Sequence, residues 1–171
     1  ALDADDHVVG VLSEGDILFK ETGSQKKGFL ERWLSMPATD LDLTKATVVI
    51  RPGSLAPAEQ TAARVLVEEV KKRTGLNWPI TTAWPKGGVV IAISSGERDA
   101  GWPQSMPGHL GKDSPALRPE GFRLVADGTG TRSATVWITG ADSRGALFGV
   151  GQLLRSLNWA EGSARIPANL D

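Results

Sequence analysis

The sequence predicts an α+β fold: a mixed, mostly antiparallel sheet of about four or five strands with two helices packed on one face. Three observations carry this. Residues 58–74 repeat apolar side chains at helical spacing between a Pro and a Gly. Short runs rich in β-branched residues recur at 47–51, 78–82, 89–94, 120–127 and 134–139, bounded by Gly and Pro. The last run leads through a tight Gly-Ala-Asp turn into a second helical stripe, giving the order β-α-β-β-β-β-α.

Bulk properties set the limits. At 171 residues the chain suits one domain, or one domain with an extension. Such a length buries roughly 70% of the surface that the unfolded chain exposes. Lys and Arg number 19 against 20 Asp and Glu, so there is no electrostatic footprint for nucleic acid and no basic patch for anionic lipid. Cysteine is absent, which excludes a disulfide framework and thiolate metal sites. No apolar run approaches the roughly 18 residues of a membrane span, and no signal peptide is visible.

Residues 1–46 read as an N-terminal extension. They hold a turn at Asp5-Asp6, a strand at Val8 to Leu12, and a helix opened by Ser13 as cap with Asp16 at the capping-box position. "FLERWLSM" pairs Phe29, Leu30, Trp33 and Leu34 on one helical face until Pro37 stops it. "ATDLDLTKA" follows as a linker or weak extended segment, and the compositional seam falls near Ala46–Thr47.

The main block, 47–171, opens with a strand at Thr47 to Arg51, closed by Pro52-Gly53. Pro57 suits the first turn of the helix that follows. Ala63, Leu66, Val67 and Val70 form its buried stripe, its charges run acidic then basic along the dipole, and Gly75 ends it. Trp78 to Thr82 is an edge strand, because Pro79 interrupts hydrogen bonding. Val89 to Ser94 is nearly all apolar, as in a strand covered on both faces. Ser95 to Pro119 is a long irregular stretch. Glu120 to Asp127 turns Phe122 and Leu124 one way and Arg123 and Val125 the other, and pairs with 134–139 as a hairpin. Asp142 or Ser143 caps the final helix, whose stripe is Ala146, Val150, Leu153 and Leu157. Gly145, Gly149 and Gly151 each cost that helix roughly 1 kcal/mol against Ala. Close packing of its backbone on a sheet explains them. A phosphate loop does not, because G-x-x-x-G-x-G is not the dinucleotide fingerprint. Arg165-Ile166-Pro167 is a brief extended tail.

The set "TVVIRPG", "EQTAARVLVEEVKKRTG", "VVIAIS", "PEGFRLVADG" and "ITGAD" followed by "SRGALFGVGQLL", in this order, resembles the N-terminal domain that precedes the catalytic barrel in several glycoside hydrolases. These include the β-N-acetylhexosaminidases of family 20 and the α-glucuronidases of family 67. The resemblance implies the same α+β architecture, and a catalytic barrel of the same polypeptide as partner. Residues 1–25 are similar to the second half of a CBS motif, a module that often binds adenosine nucleotides in pairs. That resemblance implies Ser13 and Asp16 as nucleotide contacts, although the first half of the motif is missing. The compartment is left open: secreted or periplasmic on the first resemblance, cytoplasmic on the second.

Chemistry is sparse. His7 and His109 are the only histidines and lie far apart, so no metal-ligand spacing exists and no cofactor is implied. Ser94-Ser95-Gly96 lacks the context of a nucleophile elbow. Glycosidic cleavage wants two carboxyl groups across one bond. Glu120, Asp127 and Asp142 read instead as strand-end and cap residues, and in the family resembled the paired acids sit on the barrel. The expectation is a non-catalytic accessory domain that braces a barrel. Its contact lies on the outer face of the final helix, with an apolar patch near Leu157 or Trp159. Two alternatives stand beside it. A carbohydrate-binding module would stack a sugar on Trp84 and Trp102, exposed and coplanar. A nucleotide sensor would use Ser13 and Asp16.

Overall fold

The computed structural model describes residues 34–35, 40–96, 102, 116–127 and 134–168. By contacts the chain divides between Trp33 and Leu34, and the described residues belong to the second unit. The strand at Val8 to Leu12, the helix opened by Ser13, His7, His109 and most of the 95–119 stretch lie outside them.

The elements, in order, are β1 (Leu34–Ser35), β2 (Leu41–Asp42), β3 (Thr47–Ile50), α1 (Pro57–Thr74), β4 (Ile80–Thr81), β5 (Val90–Ser95), β6 (Phe122–Asp127), β7 (Thr135–Gly140), α2 (Ser143–Ser156), β8 (Asn158–Ala160) and β9 (Ser163–Ile166). They form a six-stranded sheet in the order β1-β6-β7-β5-β3-β4 and a three-stranded sheet in the order β2-β9-β8. The α+β class and the mixed sheet are as the sequence indicates. The balance of pairing in the larger sheet is corrected: four of its five pairings are parallel, and only β6–β7 is antiparallel. The reason is the crossover. After β3 the chain returns along α1 to the end where β3 began, so β4 runs beside β3 in the same direction, as β5 does on its other side and β7 beyond β5, while β6 runs opposite. The smaller sheet is antiparallel throughout.

Alternation along the strands sorts side chains onto two faces. Val48, Ile91, Ile93, Leu124, Ala126, Val136 and Ile138 face one core, together with Ala62, Ala63, Leu66 and Val70 of α1 and Ala146, Val150 and Leu153 of α2. Both helices therefore cover the same face. Val49, Val90, Ala92, Val125 and Trp137 form the opposite face, with Trp84 and Trp102 packed over them. β5 is the strand buried on both sides, with Val90 through Ile93 all at most 1% exposed. β6 and β7 make the expected hairpin in the register Leu124↔Ile138 and Val125↔Trp137. β4 is an edge strand, and the Pro79 carbonyl still accepts from the Val48 N–H at 2.9 Å.

α1 starts with Pro57 and stops at Gly75, whose φ of 76° is left-handed and whose N–H donates to the Lys71 carbonyl. α2 lies close to the sheet because two of its residues lack a Cβ. One built on Gly145 would sit 2.2 Å from the Gly121 carbonyl oxygen, and one on Gly149 would sit 2.6 Å from Ile138 Cγ2. Close packing is thus the reason for two of the three helix glycines. At Gly151 the nearest atom would be the Arg155 side chain at 3.7 Å, so that glycine is not required by space.

The segment 40–46, which reads locally as a linker, belongs to the folded body. Leu43 and Ala46 are buried, and Leu41 and Asp42 pair with Ile166 and Arg165. Of the tail read at 165–167, Arg165 and Ile166 belong to that same ladder.

Candidate functional site

Asp142 settles the capping question. Its Oδ1 accepts from the Gly145 N–H at 2.8 Å and its Oδ2 from the Glu120 N–H at 2.9 Å. The first bond satisfies an orphan donor of α2, and the second ties the turn before β6 to the helix start. These two N–H donors, Gly145 first, hold the Asp142 carboxyl below its ordinary value of 3.8. Glu120, at a left-handed φ of 63°, pairs with the exposed Arg144 guanidinium at 2.8 Å. That pairing raises the Arg144 pKa further.

This corner has the wrong polarity for acid catalysis. A general acid must hold its proton near neutral pH, which requires a raised carboxyl pKa. Asp142 is pushed the other way, and both its oxygens are occupied. Asp127 is also engaged in an interaction. Ser94 is 6% exposed, with its hydroxyl 3.3 Å from that of Thr139, so it is not presented on a turn. A groove lined by Val67, Glu68, Lys71, Asn77 and Trp78 brings a single carboxylate, where glycosidic cleavage needs two. Among the described residues no group of His, Cys, Asp and Glu could hold a metal ion. No helix of the described residues is long and apolar enough to cross a membrane.

The structure brings Trp84 and Trp102 together, with Trp137 as a third ring. Trp84 stacks on Trp137 with centroids 5.4 Å apart and planes at 29°, while Trp84 and Trp102 are tilted by 55° at 5.7 Å. The two loop indoles are half-buried and roof the helix-free face of the sheet. They do not form the coplanar exposed platform that a sugar-binding module needs. Ser13 and Asp16 lie outside the described residues.

Leu157 is 4% exposed and belongs to the core between helices and sheet. Trp159 is half-buried, with the Arg73 guanidinium over its ring at 5.2 Å from the centroid. Neither offers an open apolar surface. The exposed apolar side chain of α2 is Phe148, at 46%. It sits with Arg144, Gly151 and Arg155 on one ridge of the helix, at positions i, i+4, i+7 and i+11.

Two contacts were not legible in the sequence. Glu59, in the first turn of α1, is fully buried, and both its oxygens bind Arg51 at 2.9 and 2.8 Å. The pair locks the end of β3 to the start of α1. Its only local signal is an acidic residue on the apolar side of a helix start, next to Ala62 and Ala63. The Arg73–Trp159 contact joins residues 86 positions apart, with no local signal at all.

Fold and site together give an α+β body in which the Asp142, Glu59 and Glu120 carboxylates are engaged in contacts that tie its elements together. The chain belongs to glycosyl hydrolase family 20, domain 2, whose family model matches residues 31–169. No curated protein sequence matches it. Among solved structures it is similar to an inactive mutant of the family 20 exo-β-N-acetylglucosaminidase from Vibrio harveyi, at 13% identity and a TM-score of 0.47, covering 78% of this chain and 16% of that one. It is also similar to a β-hexosaminidase from Streptomyces plicatus with bound GlcNAc, at 18% identity and a TM-score of 0.44, covering 78% and 24%. A third is a family 115 4-O-methyl-α-glucuronidase with specificity for decorated arabinogalactans, at 21% identity and a TM-score of 0.46, covering 68% and 14%. The chain spans less than a quarter of each of these structures.

Proposed function

We propose that this chain is a non-catalytic domain that braces the catalytic barrel of a carbohydrate-active glycoside hydrolase, as one part of a larger polypeptide, and meets it through the outer ridge of α2. The family match over residues 31–169 carries the reading. The occupied carboxylates support it, because Asp142 and Glu59 are each held by two donors and Glu120 by Arg144.

The ridge supports the contact. An exposed aromatic flanked by arginines has the composition enriched at protein interfaces. Phe148 would supply the buried anchor. Gly151, where a Cβ would meet only the Arg155 side chain at 3.7 Å, leaves a shallow notch beside it. Leu157 and Trp159 would contribute from beneath, by fixing where α2 ends and β8 begins. Glycan stacking on Trp84 and Trp102 is not part of this reading, since the rings are already used against Val49, Val90 and Trp137.

Hydroxyl-radical footprinting tests the contact. Phe148 should label readily in the chain alone, and be protected when a family 20 catalytic barrel lacking its own domain 2 is added in excess. Labelling of Phe148 that stays unchanged in the mixture would contradict the contact.

A further inference from the structure

The three-stranded sheet draws together residues from opposite ends of the described body. Leu41 lies opposite Ile166 and Asp42 opposite Arg165, and the Leu43 N–H donates to the Ala164 carbonyl at 2.9 Å. Just outside this ladder, Asp40 Oδ1 accepts the Ala168 N–H at 3.0 Å, across 128 positions of sequence. Pro167 has no N–H, so Ala168 carries the first free donor after Ile166. The other side of the sheet is fastened to α1: the Gly162 N–H donates to the Thr74 carbonyl at 2.8 Å, and Arg73 covers Trp159. Leu43, Ala164 and Ile166 have no exposed surface.

We infer that this sheet ends in a rigid clasp, in which the Asp40–Ala168 hydrogen bond fixes Ala168 to the body. An ordinary interdomain linker is exposed, polar and poor in contacts, and its partner domains swing. Here Ile166, the last fully buried side chain among the described residues, stands two residues before Ala168, and the residue between them is a proline of fixed φ. Ala168 is therefore carried with the described body. This rests on the reading that a barrel belongs to the same polypeptide, and it names how the brace would transmit orientation.

The absence of cysteine makes the test direct. Spin labels are placed on Lys72→Cys, which is exposed on α1, and on Ala168→Cys, whose backbone N–H is retained. Electron–electron resonance should give one narrow distance distribution. Adding Asp40→Ala should widen it at least about twofold. Asp40→Asn, which keeps an oxygen acceptor, should restore the parent width. A control pair on Arg64→Cys and Lys72→Cys, both on α1, should stay narrow throughout, showing that the variants are folded. A broad distribution in the parent, no widening with Asp40→Ala, or a width that Asp40→Asn fails to restore would overturn the clasp. Failure of the barrel contact would leave all these widths unchanged, so the two ideas can fail separately.

Discussion

The two helices lie on the same face of one sheet but are held by opposite means. α1 is held by its side chains: Ala62, Ala63, Leu66 and Val70 fill the core, and Glu59 reaches back to Arg51. α2 is held largely by what it lacks. Gly145 and Gly149 let its backbone approach Gly121, Phe122 and Ile138 to distances that a methyl group would forbid. The difference teaches that apolar periodicity locates a helix, while the small residues within it report how close it comes to its neighbour.

The largest expected effect breaks the side-chain mode. Arg51→Met leaves the Glu59 carboxylate buried without a partner, where removing one member of a buried pair costs on the order of 3–5 kcal/mol. The lower end is expected, because the Arg51 side chain is 28% exposed and water reaches that site. Urea unfolding should show a large drop in midpoint, and a midpoint near the parent's would mean the pair is not needed. Next comes the backbone mode. Gly149→Ala places a methyl against Ile138 Cγ2 and should destabilise by about 1–3 kcal/mol through overpacking. Neutral unfolding data for this variant would contradict the close approach.

The start of α2 gives a smaller effect with a pH signature. Asp142→Ala loses the cap and should cost about 1 kcal/mol. The Asp142 pKa is depressed on folding, so its contribution is fully present above the unfolded value of 3.8 and is lost as pH falls through the folded one. The stability gap between parent and variant should therefore persist at neutral pH and close on acidification below 3.8. A gap that widens toward acid would reverse the sign of the account. The smallest effect sharpens the comparison. Gly151→Ala, two residues from Gly149, meets only an ordinary contact with the Arg155 side chain and should stabilise by up to about 1 kcal/mol. Equal destabilisation at both positions would erase the distinction between them.

What the sequence disclosed follows the same division. α1, the β6–β7 hairpin, the doubly covered β5 and the Asp142 cap all have local signatures, and each stands where its pattern placed it. The small sheet was not legible. β2 has two residues and β9 four, too few to show alternation, and their pairing joins segments more than 120 positions apart. The parallel register was missed because strand patterns carry no direction. Treating α1 as a crossover supplies it for β3 and β4. Leu157 sits on the stripe that the periodicity indicates. That stripe is the buried one, and the exposed aromatic of the helix, Phe148, stands on the opposite ridge.

On the proposed function this body is scaffold, and the groups which break glycosidic bonds belong to the catalytic barrel. Release of nitrophenol from aryl N-acetyl-β-glucosaminides and α-glucuronides by the purified 171-residue chain tests it most directly. No turnover above the buffer rate is expected. Turnover that disappears when one of the chain's own carboxylates, such as Glu68 or Glu120, is changed to the amide would contradict it.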